Sequence, residues 1–144
     1  MMKAVRRVAP IVATALLLTT LLQAGPTSAA RRHHTRQHRC TIKGTSADDP
    51  IVDTGGDNVI CPKGGNDTVE AGLGADTVRG GPGDDRIEGN DGADVLLGGS
   101  GADTVVTADG VSGNDRAVGG RGNDTCVIDD GDRTRGCETI EVPA

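Results

Sequence analysis

Aspartates recur at a spacing of nine residues through most of this chain, interrupted by a single three-residue insertion at residues 107–109. The residues that share this phase are Asp49, Asp67, Asp76, Asp85, Asp94, Asp103, Asp115 and Asp124, with Asn58 in the place of a ninth aspartate. Carboxylates are hard oxygen ligands, and carboxylates at regular intervals are suited to holding hard cations. The first chemistry that this spacing suggests is therefore cation binding.

These aspartates occupy position six in nine blocks of nine residues that run from Gly44 to Val127. Position four is glycine in eight of the nine blocks, and position eight is apolar in all nine. The first six residues of a block are typical of turns, and the last three are typical of a short strand whose middle side chain points inward. A short fixed period over this length indicates a solenoid of stacked units.

Two turn–strand units would form one coil, so we predict an all-β fold: a parallel β-roll (β-solenoid) with two repeats per coil. Equivalent residues of successive coils would then stack about 4.8 Å apart. Asp67, Asp85 and Asp103 would lie along one edge of the roll, and Asp76 and Asp94 would lie along the other. Carboxylates that close repel one another strongly unless a cation lies between them.

Calcium is the cation that best matches these ligands. It accepts six to eight oxygen ligands in a loose geometry, whereas magnesium demands a tighter octahedron and zinc prefers Cys or His. Asp and Gly are also common in turns for purely structural reasons. That alternative would explain the composition but not the nine-residue phase.

Three blocks, residues 80–88, 98–106 and 119–127, follow the pattern G-G-x-G-x-D-x-U-x. This pattern resembles the hemolysin-type (repeats-in-toxin, RTX) calcium-binding nonapeptide. The resemblance implies that each ion lies between adjacent turns, held by position-six aspartates and by carbonyl oxygens of the glycine turns. The candidate calcium ligands are Asp67, Asp76, Asp85, Asp94, Asp103, Asp115 and Asp124, with Gly81, Gly83, Gly92, Gly99, Gly101, Gly120 and Gly122.

The composition argues against several other function classes. The chain has no Phe, Tyr or Trp, which disfavours a conventional aromatic core and the stacking of nucleic-acid bases. All 21 acidic residues lie at or after Asp48, and such a surface disfavours nucleic acid and anionic membranes. The histidines, His33, His34 and His38, lie outside the repeat, and no catalytic motif is recognisable. We therefore predict that the protein is not an enzyme.

The N-terminal region has the organisation of an exported protein. Residues 1–30 combine a basic start, an apolar stretch and a small-residue cleavage site, so we predict a signal peptide and no membrane insertion. Residues 31–39 form a basic flexible tail. Cleavage after Ala30 would expose Arg31-Arg32-His33, a sequence that could bind Cu(II) or Ni(II) through the new amino terminus and His33.

Four cysteines flank the repeat, which in an exported chain indicates disulfides. In the predicted roll Cys61 and Cys126 would lie about 17 Å apart, too far to be bridged. The pairs Cys40–Cys61 and Cys126–Cys137 remain and would cap the two ends. We therefore assign residues 40–142 to a calcium-binding β-roll with terminal caps. Late in the repeat, position nine becomes apolar at Leu97, Val106, Val118 and Val127. Ile140 and Val142 are candidates to cover this strip, and the alternative is that the strip contacts a partner.

The leading functional hypothesis is a secreted, extracellular calcium-binding protein. One aliphatic side chain per nine residues buries little apolar area against the entropy of ordering the chain, so we expect calcium to drive folding. The alternative is a calcium-dependent adhesive or cell-surface module that uses position-seven threonines (Thr68, Thr77, Thr104 and Thr125). The sequence identifies no protein or cell-surface partner.

Overall fold

The computed structural model describes residues 39–143, which form twelve short β-strands and no helix. The strands are β1 Ile42–Lys43, β2 Pro50–Val52, β3 Val59–Cys61, β4 Thr68–Glu70, β5 Thr77–Pro82, β6 Arg86–Glu88, β7 Val95–Ser100, β8 Thr104–Val106, β9 Arg116–Arg121, β10 Thr125–Val127, β11 Arg133–Arg135 and β12 Thr139–Glu141. Nothing in residues 39–143 forms a helix that could span a membrane. The predicted signal peptide and the Arg31-Arg32-His33 sequence lie outside the described residues.

Odd and even strands form two separate six-stranded parallel sheets. The odd sheet has the order β1-β3-β5-β7-β9-β11, and the even sheet has the order β2-β4-β6-β8-β10-β12. Neighbouring strands in a sheet are therefore two blocks apart in the chain, as in the register Val78↔Leu96 and Ile87↔Val105. This arrangement is a β-solenoid of about six coils with two repeats per coil, and it confirms the predicted fold.

Each strand of the repeat contributes one side chain, at position eight, to the core between the two sheets. The position-eight side chains are fully buried from β3 to β10: Ile60, Val69, Val78, Ile87, Leu96, Val105, Ala117 and Cys126 are each 0% exposed. Their neighbours at positions seven and nine face outward because side chains alternate along a strand. Such a thin core provides little apolar burial per residue.

The disulfides Cys40–Cys61 and Cys126–Cys137 close the two ends of the roll, as predicted. The roll also extends past the nonapeptide repeat. β1 pairs with β3 before the repeat is established, and β11 and β12 continue the two sheets after it ends. The cysteines therefore join the terminal coils to their neighbours.

The prediction that Ile140 and Val142 cover an apolar strip is wrong. Ile140 pairs with Cys126 as part of an edge strand, and Ile140 and Val142 remain 51% and 57% exposed. The four apolar position-nine residues also do not form one strip. Leu97 neighbours Val118 on the odd sheet, whereas Val106 neighbours Val127 on the even sheet. The reason is that successive blocks contribute strands to opposite sheets.

The position-seven threonines divide in the same way. Thr68, Thr104 and Thr125 lie on the even sheet, where Arg86 separates Thr68 from the other two, and Thr77 lies on the odd sheet. These residues therefore do not form the single surface that the adhesive alternative would use.

Candidate metal centre

The position-six aspartates form two columns along the edges of the roll. Each lies at the end of a turn, immediately before the first residue of a strand. We call the edge that carries Asp67, Asp85, Asp103 and Asp124 the first edge, and the edge that carries Asp76, Asp94 and Asp115 the second edge. All seven are buried, with exposures of 1–3%. The two predicted columns are therefore present, and they are shielded from solvent.

One oxygen of each aspartate is used inside the protein. Asp85 Oδ1 accepts the backbone N–H of Asp67 at 2.9 Å, and Asp103 Oδ1 accepts that of Asp85 at 2.9 Å. On the second edge, Asp94 Oδ1 accepts the N–H of Asp76 at 2.8 Å. The same bond joins each position-six aspartate to the coil before it along both edges. The carboxylates thus form hydrogen-bonded ladders parallel to the roll axis.

The second oxygen of each aspartate has no partner among the described residues. The unpartnered buried atoms are Asp67 Oδ2, Asp76 Oδ2, Asp85 Oδ2, Asp94 Oδ2, Asp103 Oδ2, Asp115 Oδ2 and Asp124 Oδ2. A buried carboxylate oxygen without a hydrogen bond or counter-charge costs several kcal/mol, and native proteins rarely leave one unsatisfied. Seven equivalent buried carboxylate oxygens in two columns are suited to binding a positively charged ligand.

Backbone carbonyls lie beside these oxygens. A Cβ placed on Gly80 would overlap both Asp85 Oδ2 and the carbonyl oxygen of Gly98 in the next coil. On Gly119 it would overlap the carbonyl oxygen of Gly136 and lie 2.6 Å from Asp124 Oδ2. Position one of these blocks is thus glycine because a side chain would occupy the space where the oxygens converge.

The seven glycines predicted to contribute carbonyl ligands all lie in the turns. Gly81, Gly83, Gly92, Gly99, Gly101, Gly120 and Gly122 have φ between 119° and 150°, which favours glycine strongly. A Cβ on Gly101 would overlap the carbonyl oxygen of Gly83 in the preceding coil and lie 2.7 Å from Asp84 Oδ1. The turns therefore stack backbone on backbone, with carbonyl oxygens directed between coils.

The protonation of the aspartates reflects their burial. Burial raises the pKa of Asp94 to about 7 and the pKa values of Asp103 and Asp115 to about 6. Burial also raises the pKa values of Asp67, Asp76 and Asp85. Backbone hydrogen bonds lower these pKa values in part, and neighbouring carboxylates raise them further. Without a cation, the columns resist carrying full negative charge.

No three His, Cys, Asp or Glu side chains within residues 39–143 converge closely enough to hold a metal by themselves. The reason is that each coil contributes one position-six carboxylate to each edge. An ion here would have to combine carboxylates from neighbouring coils with turn carbonyls. Calcium accepts such mixed oxygen ligands in variable geometry, so the residues present fit calcium.

Sequence reasoning missed the residues that end the two ladders. Glu138 Oε2 accepts the N–H of Asp124 at 2.8 Å, and Asp132 Oδ1 accepts that of Asp115 at 3.2 Å. Both lie after the repeat, where the nine-residue phase no longer identifies equivalent positions. At the other end of the first edge, Asp49 Oδ2 accepts the N–H of Thr45 at 2.6 Å. Asp49 Oδ2 therefore has a partner, unlike Oδ2 of the seven buried aspartates.

A second, shorter ladder uses position five. Asn66 accepts the N–H of Asp84 through Oδ1 at 2.9 Å, and Asp84 accepts that of Ala102 at 2.6 Å. Asp48 accepts the N–H of Asn66 in the same way. The repeated Asn or Asp at position five in these blocks was a signal that could have indicated this ladder.

Comparison with known proteins agrees with this geometry. A family model described as RTX calcium-binding nonapeptide repeat (4 copies) matches residues 43–78, 70–105 and 109–125. These residues make up more than half of the chain and contain all seven aspartates with an unpartnered oxygen. No curated protein and no solved structure matches the chain.

Proposed function

Because the chain belongs to the RTX calcium-binding nonapeptide repeat family, we propose that it is a secreted protein whose roll folds when calcium binds outside the cell. The family's β-roll is a structural calcium-binding fold, and we assign the buried carboxylates to ion binding rather than to catalysis. Two disulfides and the predicted signal peptide support an extracellular location.

The observation that carries this proposal is the set of seven buried Oδ2 atoms without a partner. We propose that position-six aspartates of neighbouring coils, together with turn carbonyls such as those of Gly83 and Gly98, hold each ion. Bound calcium would neutralise the carboxylate columns. The backbone N–H groups of the turns already hold each Oδ1 in place, so Oδ2 would be oriented once the coils stack.

Folding and calcium binding would be coupled because the ligands come from different coils. Extracellular sites typically have Kd values of roughly 10⁻⁴–10⁻³ M. At a calcium concentration ten times Kd, one independent site stabilises the folded state by about 1.4 kcal/mol. Several such sites together would outweigh the ordering cost that the thin core leaves uncovered.

Circular dichroism of the full chain, with both disulfides formed, tests this proposal. We expect a cooperative gain of β-sheet signal as calcium is added, loss of that signal with a chelator, and a much weaker response to magnesium. Calorimetric titration under the same conditions gives the number of ions bound. A spectrum that changes with neither calcium nor chelator would contradict the proposal.

A further inference from the structure

The outer face of the odd sheet carries positive charge only. The charged side chains on its strands are Lys43, Arg79, Arg116, Arg121, Arg133 and Arg135, and we call the surface that they form the basic face. No Asp or Glu lies on any strand of this sheet. The strands of the even sheet, in contrast, carry Glu70, Glu88 and Glu141. Positive charge is thus concentrated on one side of a strongly acidic chain.

The cations of the basic face have no protein partner among residues 39–143. The ion pair in that range joins Arg86 and Glu88 on the even sheet. Arg116 and Arg133 are direct neighbours in the ladder between β9 and β11, and both are exposed. Like charges side by side on adjacent strands destabilise a sheet. An anionic ligand would remove that cost.

The shape of the basic face limits what it can bind. Six strands about 4.8 Å apart form a strip about 24 Å long along the roll axis. The turns on both sides carry exposed carboxylates, among them Asp84 on the first edge and Asp57 on the second. A broad anionic surface, such as a membrane or a nucleic-acid duplex, would meet these carboxylates. A single linear chain along the axis would not.

Two further features limit the class of ligand that the basic face can bind. Half-buried Val95, Leu97 and Val118 lie between the cationic ends of the strip and offer a nonpolar surface. The absence of aromatic residues removes the platforms on which single-stranded nucleic acids stack. The strip, about 24 Å by 10 Å, is also much smaller than the ~800 Å² per partner of a stable protein dimer. A second copy of this chain is therefore a poor fit.

We propose that the basic face binds a linear polysaccharide with carboxylate groups, laid along the roll axis. Arginine guanidinium groups pair with carboxylates in a bidentate geometry, and the nonpolar strip would contact the CH faces of the sugar rings. Binding needs the stacked coils that align Arg116 with Arg133, so this proposal rests on the calcium-folded state. The partner class deepens the function proposed above.

The test is fluorescence anisotropy with a labelled oligogalacturonate too short to gel with calcium, added to the full disulfide-bonded chain in calcium. We expect saturable binding that weakens with added salt, and no binding of a neutral oligosaccharide. Arg116→Gln should weaken binding about threefold, as expected for one exposed ion pair. The triple variant Arg116→Gln, Arg133→Gln, Arg135→Gln should weaken it by about thirtyfold.

Arg86→Gln is the matched control, because Arg86 and Arg116 are both exposed first residues of strands but lie on opposite sheets. It should leave the affinity unchanged. The proposal would be overturned if Arg86→Gln and Arg116→Gln lowered the affinity for oligogalacturonate equally, or if the triple variant bound as tightly as the unmodified chain. Tighter binding to anionic vesicles or to single-stranded DNA than to oligogalacturonate would also overturn it. Circular dichroism of the same samples separates the two proposals: a chain that folds with calcium but binds no oligogalacturonate contradicts this one alone.

Discussion

Replacing Asp94 by asparagine should have opposite effects on the calcium-free and calcium-bound states. Asp94 is 1% exposed, and its Oδ1 accepts the backbone N–H of Asp76 at 2.8 Å. Asparagine has nearly the same shape, and its Oδ1 can accept this bond. The substitution replaces the unpartnered Oδ2 by an NH₂ group and removes one buried charge. The variant therefore removes a buried charge while keeping the hydrogen bond that joins the two coils.

The size of the effect follows from the burial of the carboxylate. A rise in the pKa of Asp94 from 3.8 to about 7 corresponds to about 4 kcal/mol of destabilisation once the group is ionised in the folded state. Asparagine removes this cost, but its new NH₂ group would be incompletely hydrogen-bonded, which costs about 2 kcal/mol. The calcium-free roll should thus become more stable by about 2 kcal/mol. Calcium binding should weaken by about tenfold, because one of the proposed charged ligands is lost.

Both effects are measurable at pH 8 by circular dichroism. In chelator, the osmolyte TMAO favours compact states, and Asp94→Asn should lower the TMAO concentration at which the chain folds. In a calcium titration, the same variant should raise the folding midpoint. Asp91→Asn is the matched control, since it removes the same charge from an exposed side chain three residues away. If both variants shift the two midpoints alike, burial of Asp94 is not the cause and the reasoning fails.

Three further predictions follow from the turns and the carboxylates. Between about pH 4 and pH 7 the folded calcium-free chain holds protons that the unfolded chain releases, because burial raises the pKa of Asp94 to about 7. Its stability in TMAO should therefore fall as pH rises through that window, while calcium affinity should rise; an affinity independent of pH would contradict this. Gly101→Ala should raise the calcium midpoint of folding far more than Gly110→Ala, because both residues have positive φ but a Cβ has open space only at Gly110. Equal effects of the two alanines would show that crowding between coils is unimportant. Lys63 has φ of 95°, so Lys63→Gly should stabilise the calcium-bound roll in urea denaturation by about 1 kcal/mol, and a loss of stability would refute backbone strain there.

Much of the architecture could be predicted because the repeat is strictly local. A nine-residue phase with one inward apolar side chain requires equivalent residues to stack, so the sequence alone assigns the two aspartate columns to opposite edges. The same spacing excluded a disulfide between Cys61 and Cys126, and both predicted disulfides are confirmed. The resemblance to the RTX family is also confirmed.

The nine-residue phase ends at Val127, and the sequence predicts the structure after that residue less well. Ile140 continues the even sheet instead of covering its outer face, and Glu138 ends an aspartate ladder from a position that no periodicity marks. The chain after Val127 enters the same two sheets through shorter connections. Pairing with the preceding coil, rather than sequence spacing, decides which way its side chains face.

The amino-acid sequence by itself determined the coil, the two edges and the placement of the carboxylates along them, because each depends on contacts that repeat every one or two blocks. Only the tertiary structure decided how the two oxygens of each aspartate are used, since Oδ1 is satisfied by a backbone N–H from another coil and Oδ2 is not. It also decided that six cations distant in sequence share one face. Successive blocks contribute strands to opposite sheets, so outward side chains of every second block lie on the same face. These side chains become neighbours only when the coils have stacked.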